Sequence, residues 1–193
     1  MNNYYDEHSK EFIENTINCD MTNLYEFFLK YVDYKGTLLD LGFGSGRDSL
    51  YFKNKGFSVT SLDNSRELCE NAKSLNLDCI ICQDILDFNE KNKFDYIWAC
   101  ASLLHIKKKD LPKAFSNCYN SLKNNGIMYA SFKYGDFEGL RGDRYYTDLT
   151  LDSFKDIIKN LNFAIIDTKI TFDVRPDRAD EKWLNVILKK LNN

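Results

Sequence analysis

A chain of 193 residues, 44% of them hydrophobic, carries enough apolar side chains for one core and has the size of a single domain. With 9 Gly, 2 Pro and a formal net charge of −3, it is neither a low-complexity chain nor the basic scaffold of a nucleic-acid binder. Its 6 cysteines are scattered, several of them in apolar runs, which fits buried thiols in a reducing compartment and not a secreted disulfide framework.

The first ten residues are polar and show no signal-peptide pattern, and no apolar run approaches the roughly 18 residues of a membrane span. A cytoplasmic protein that does not engage membranes is expected. Phe12, Ile13 and Thr16, then Leu24, Phe27, Phe28, Tyr31 and Val32, recur at helical spacing and predict two helices over residues 9–33. Thr22 is the expected N-cap of the second, and Gly36 closes the segment. Residues 1–35 therefore read as a helical cap on a domain of residues 36–193.

From Gly36 onward, short apolar runs alternate with helical patterns. Strands are predicted at 37–41, 57–62, 78–82, 94–101 and 127–132, with helices at 47–55, 66–74 and 111–123. Tyr96-Ile97-Trp98-Ala99-Cys100 is apolar on both faces, as central parallel strands are. A polar connection at 134–149 precedes a helix at 151–161 and strands at 163–170 and 183–188. The pattern predicts an α/β fold: a Rossmann-like, seven-stranded, mostly parallel sheet with helices on both faces and a last antiparallel strand. Cys79-Ile80-Ile81-Cys82 has metal-site spacing, but it lies in a strand and lacks a second cysteine pair, so no metal is expected. Lys107, Lys108 and Lys109 read as a solvated turn.

The strongest local signal follows the first strand: Leu39-Asp40-Leu41-Gly42-Phe43-Gly44-Ser45-Gly46-Arg47-Asp48. Glycines at alternate positions permit a tight turn and close ligand approach, and the helix that follows offers unpaired N–H groups. The next strand ends at Asp63, 21 residues after Gly42, where an acid can accept from both ribose hydroxyls of an adenosine ligand, or merely cap the helix starting near Ser65. The G-x-G-x-G spacing, with Arg47 where a dinucleotide fingerprint has its third glycine, and the acid Asp40 before the turn favour a cationic amino group over a diphosphate. Arg47 opposes the helix macrodipole; it either meets a carboxylate of the cofactor or acceptor, or pairs with an acid elsewhere.

These residues resemble the class I S-adenosylmethionine-dependent methyltransferases, over nearly the whole chain. The resemblance implies S-adenosylmethionine as cofactor and Asp40, Gly42, Phe43, Gly44, Gly46, Arg47, Asp63, Asn64, Asp84, Ile85 and Ala101 as its contacts, Asp84 in Gln83-Asp84-Ile85 facing the adenine amino group. Phe43 departs from the small residue common at its position. Gly44-Ser45-Gly46-Arg47-Asp48-Ser49, the run Trp98-Ala99-Cys100-Ala101-Ser102-Leu103-Leu104-His105, and Ser131-Phe132-Lys133-Tyr134-Gly135 are similar to the small bacterial tellurite-resistance and thiopurine-type enzymes of that family.

The acceptor should enter beyond the fourth strand, which makes Ser102 and His105 the catalytic candidates. His105 is either a proton acceptor or a packing residue. No Asn/Asp-Pro-Pro-Tyr motif follows that strand, so nucleic-acid substrates are not expected. Lys133, Arg141, Arg144, Tyr145 and Tyr146, with Arg175 and Arg178 from the connection between the last two strands, are candidates for binding an anionic or aromatic acceptor, Lys133, Tyr146, Arg175 and Arg178 foremost, or form a salt-bridged surface loop. Tyr4 and Tyr5 either fold over the cofactor or pack in the core. A small-molecule acceptor and a monomer or homodimer are expected; a macromolecular methyltransferase and a non-catalytic cofactor-binding module are the alternatives.

Overall fold

The computed structural model describes residues 4–175 and 178–192. Three helices open the chain: α1 (Tyr4–Glu7), α2 (Ser9–Thr16) and α3 (Thr22–Leu29). There follow β1 (Thr37–Leu41), α4 (Arg47–Asn54), β2 (Ser58–Asp63), α5 (Arg66–Ala72), β3 (Cys79–Cys82) and β4 (Phe94–Ala99). The second half holds α6 (Leu111–Ser121), β5 (Leu122–Lys133), β6 (Glu138–Arg141), β7 (Arg144–Thr147), α7 (Leu151–Ile158), β8 (Phe163–Phe172) and β9 (Lys182–Lys190). No helix among the described residues is long and apolar enough to cross a membrane.

Seven strands form one sheet in the order β3-β2-β1-β4-β5-β9-β8. The first five pair in parallel, and β9 runs antiparallel between β5 and β8. This is the predicted Rossmann-like architecture. Alternate side chains of the central strands serve opposite faces. Leu38, Trp98 and Tyr129 pack against Phe28 of α3 and Phe52 of α4, with the Trp98 and Tyr129 rings stacked at 4.1 Å. Leu39, Ile97 and Met128 pack on the other face against Phe115 of α6 and Phe154 of α7.

Local chemistry sets the helix starts. Thr150 and Ser153 form a reciprocal capping box for α7, and the Ser65 hydroxyl accepts from the Leu68 N–H to cap α5. Thr22 is not the cap of α3. It is the first helical residue, Met21 holds the cap position, and Asp20 Oδ1 accepts the Thr22 N–H at 2.9 Å. The polar stretch at 134–149 is not a plain connection either. It contains an antiparallel hairpin, β6–β7, turned by Gly142-Asp143, and the positive φ of Gly142 supports that two-residue turn.

Strand order reverses direction between β1 and β4, so the loops leaving their carboxyl ends diverge and open a crevice there. Most of the candidate residues line the cavities that open there.

Candidate active site

The turn after β1 is held by its neighbour strand: the Gly42 and Phe43 N–H groups both donate to the Leu62 carbonyl, at 2.7 and 3.3 Å. Gly42 has φ +72°, and a Cβ there would lie 2.4 Å from the Ser102 Cβ. At Gly44, φ +55°, it would lie 2.9 Å from the Phe12 ring. The two glycines therefore bring bare backbone against the β4 loop and α2, a surface no other residue could form. Asp63, at the end of β2, accepts from the Gly44 N–H and the Ser65 N–H, both at 3.0 Å. Burial pushes its carboxyl above the ordinary aspartate range. The helix-capping alternative falls to Ser65.

A crevice of about 420 Å³ runs along this edge. Gly42 and Gly44 line it beside Asp63 and Asn64 of the second strand's end, Asp84 and Ile85 after β3, and Ala101, Ser102 and His105 after β4. The Asp84 carboxylate accepts the Leu86 N–H at 2.8 Å, which orders that loop. Ala101 is held at φ +51°, in the left-handed region where a non-glycine residue stores strain, and its N–H donates to Ser131 Oγ at 2.8 Å. The Ser102 hydroxyl is buried without a hydrogen-bond partner among the described residues.

A smaller cavity of about 150 Å³ adjoins the crevice. The two share Tyr5, Phe12, Gly42, Gly44, Ala101 and His105. Beyond that mouth, Lys133, Arg144, Tyr146, Arg175 and Trp183 form its walls.

Residues 38–126 match a family profile described as a methyltransferase domain. Over those residues the chain is similar to a methyltransferase domain, and its fold is that of the class I, S-adenosylmethionine-dependent methyltransferases. YqeM of Bacillus subtilis, named as a methyltransferase, is 33% identical in an alignment of 112 positions that covers 51% of this chain and 44% of that protein. The phosphoethanolamine N-methyltransferase of Plasmodium falciparum is 28% identical in an alignment of 151 positions that covers 68% of this chain and 55% of that one. The chain thus spans about half the length of these two relatives. In fold it resembles the 1,6-didemethyltoxoflavin-N1-methyltransferase of Burkholderia thailandensis, solved with 1,6-didemethyltoxoflavin and S-adenosylhomocysteine, at a TM-score of 0.76 and 18% identity, covering 97% of this chain and 84% of that one.

The crevice fits S-adenosylmethionine on three observations: the bare glycine cradle, the buried acid at the end of β2, and the orphaned Ser102 hydroxyl. Not all predicted contacts line it. Asp40 is buried beneath the turn, where it accepts from the Ser49 hydroxyl at 2.6 Å; burial and the neighbouring Asp48 push its carboxyl well above the ordinary range. Gly46 serves as the N-cap of α4. Phe43 faces the smaller cavity and packs on Cys69 and Ala72 of α5. Arg47 also lines the smaller cavity, forked onto Asp48 at 2.7 and 3.0 Å, with a third bond to the Thr16 carbonyl. The helix-start cation is thus neutralised by the next residue in sequence. Lys133, Tyr146 and Arg175 converge on the smaller cavity, whereas Arg178 lines neither.

Phe12 is a site-lining residue that the sequence did not single out as a cofactor or acceptor contact; Tyr5 lines both cavities and Arg144 the smaller one. The N-terminal helices are latched over the crevice: the Ser65 hydroxyl and the Glu67 N–H donate to Asp6 Oδ1, at 2.6 and 3.2 Å.

His105 Nδ1 lies 2.7 Å from the Tyr145 carbonyl oxygen. A carbonyl only accepts, so Nδ1 carries the proton, and Nε2 accepts from the Tyr5 hydroxyl at 2.8 Å. Burial, aided by the charges of Arg144 and Lys133, lowers the His105 pKa to about 4. The ordinary imidazole value is 6.5. Between those values the unfolded chain binds a proton that the folded chain refuses, so this group costs stability as pH falls from about 6.5 toward 4. Urea unfolding at pH 7 and pH 4.5 should therefore show a smaller acid loss for His105→Asn than for the unsubstituted protein. An equal loss in both would place the acid sensitivity elsewhere.

Proposed function

We propose that the protein transfers a methyl group from S-adenosylmethionine to a small-molecule acceptor. One observation carries this reading: the cofactor-sized crevice opens at Ala101 and His105 into a second cavity of about 150 Å³. A cavity of that size holds a single aromatic ring or its equivalent, and a folded macromolecule could present only a single side chain to it. The net charge of −3 and the small acceptors in the names of the two methyltransferases, phosphoethanolamine and 1,6-didemethyltoxoflavin, support the same reading. All six cysteines are unpaired, which supports a reducing, cytoplasmic setting.

When bound, the cofactor supplies a methyl group already activated on a sulfonium. The protein's part is placement. Asp63 would offer carboxylate oxygens to the ribose hydroxyls, and Asp84 with Ile85 would hold the adenine end. The glycine backbone and Ala101 line the passage between the two cavities. Tyr5 and Phe12 close that passage against water, and the Tyr5 hydroxyl, donating to the neutral His105 Nε2, can pass its proton to that nitrogen as its oxygen receives one from the acceptor.

Calorimetry against S-adenosylmethionine, S-adenosylhomocysteine and NAD should show binding of the two sulfur compounds alone. A labelled-methyl screen of thiols, amines, carboxylates and selenium or tellurium oxyanions should then yield a methylated small product. Label found only in protein or RNA, or binding of NAD alone, would overturn the proposal.

A further inference from the structure

The ion pairs around the smaller cavity leave one positive charge over. Four cationic side chains line it: Arg47, Lys133, Arg144 and Arg175. Arg47 is forked onto Asp48, Arg175 is forked onto Asp173 at 2.9 and 2.7 Å, and Lys133 Nζ donates to Glu181. Among the described residues, no carboxylate stands within ion-pair distance of Arg144. Its half-buried guanidinium packs on rings instead, 4.9 Å from the Tyr4 centroid and 5.6 Å from that of Tyr146, and it neighbours the Tyr5 hydroxyl. Cation–π contacts soften the cost of removing this charge from water, yet they leave the N–H edge of the fork without an anion.

The surroundings reinforce the sign. Lys133 and Arg141 approach the Tyr146 ring at 5.5 and 5.3 Å, so one aromatic wall is bordered by three cations. Arg141 is neutralised by Asp148, and Lys133 by Glu181. Only Arg144 has a full charge to offer an incoming group.

We infer that the acceptor carries an oxyanion, a carboxylate or a phosphate, and that Arg144 is the specificity residue that binds it. This rests on the small-molecule methyl-transfer reading above. The position of Arg144 also orders the two ends of the acceptor. Tyr5 bonds to His105 and Tyr146 packs on it, with ring centroids 4.9 Å apart, and His105 lines the mouth between the cavities. An oxyanion on Arg144 leaves the opposite end of a short molecule at that mouth, where the atom to be methylated belongs. The acceptor is therefore bifunctional, with an anion at one end and a nucleophile at the other.

Three matched pairs of probes test this: ethanolamine against phosphoethanolamine, propylamine against β-alanine, and propanethiol against 3-mercaptopropionate. Each is assayed for methyl transfer and, by calorimetry, for binding to the protein saturated with S-adenosylhomocysteine. The anionic member of at least one pair should bind more tightly by about tenfold or more, the scale of a charge-assisted fork. The phosphate and carboxylate pairs show which oxyanion is taken. Arg144→Gln should erase that preference while leaving the S-adenosylhomocysteine affinity within about twofold, and Arg144→Lys should restore part of it. Thermal melting of both variants verifies that they are folded. Equal or weaker binding of every anionic member, or a preference that survives in Arg144→Gln, overturns the inference even where methyl transfer to a neutral small molecule persists. Methylation of a macromolecule alone overturns the parent reading and this inference together.

Discussion

Asp63→Ala weakens S-adenosylmethionine binding by about 10- to 100-fold, corresponding to about 1–3 kcal/mol. Two effects add. The variant removes the acceptor proposed for the ribose hydroxyls, which would be left unmatched in the crevice. It also releases the Gly44 and Ser65 N–H groups, both bonded to this carboxylate at 3.0 Å, so the glycine turn loses its tie to the end of β2. Asp63→Asn separates the two effects, because its amide oxygen can hold one of the backbone donors but cannot serve both while also accepting from the ribose. Its affinity should fall between those of the native protein and the alanine variant. Burial has raised the Asp63 carboxyl, so acidification should weaken binding before an exposed aspartate would begin to protonate. Calorimetry with S-adenosylhomocysteine across pH measures all three quantities. Undiminished affinity in Asp63→Ala would remove the residue from the ribose role.

The largest effect on stability is expected at Asp48. This carboxylate is buried, yet it is fully occupied: Arg47 donates from Nε and Nη2, Tyr25 from its hydroxyl at 2.5 Å, and Trp98 from its indole at 2.8 Å. Burial opposes its ionisation, but the Arg47 charge and these hydrogen bonds outweigh that cost and hold its pKa below the usual aspartate value. Asp48→Ala leaves a mostly buried guanidinium, a phenol and an indole without their common acceptor. Removing one partner of such a pair costs about 3 kcal/mol or more, and urea unfolding should show that loss. Asp48→Asn keeps the shape and an acceptor but not the charge, and should lose less. Because the folded-state pKa is depressed, the Asp48 contribution is present in full above about 3.8 and fades as pH falls through the lowered value. A loss below about 1 kcal/mol in Asp48→Ala would mean that Arg47 reaches solvent easily and that the cluster is not a keystone of the α3–α4 face.

The amino-acid sequence by itself determined the element order and the crevice. Short apolar runs and glycine punctuation depend on neighbours a few residues apart, so the seven strands, the turn at Gly42 and Gly44 and the acid at Asp63 were all legible in the chain. The Gly142-Asp143 hairpin was not read from the chain, because the polar residues around it lack the apolar runs that mark a strand. Tertiary structure alone decided which charges are spent. Asp40, an acid in the right motif, faces Ser49 beneath the turn because its strand is covered on both sides. Arg47 is satisfied by Asp48, and Arg178 lines neither cavity. Arg144 is left with an unmatched charge beside Tyr146 and Tyr5, which is 139 positions earlier in the chain. Ion pairing and burial depend on distances across the fold, and residue types and spacing carry no record of those distances.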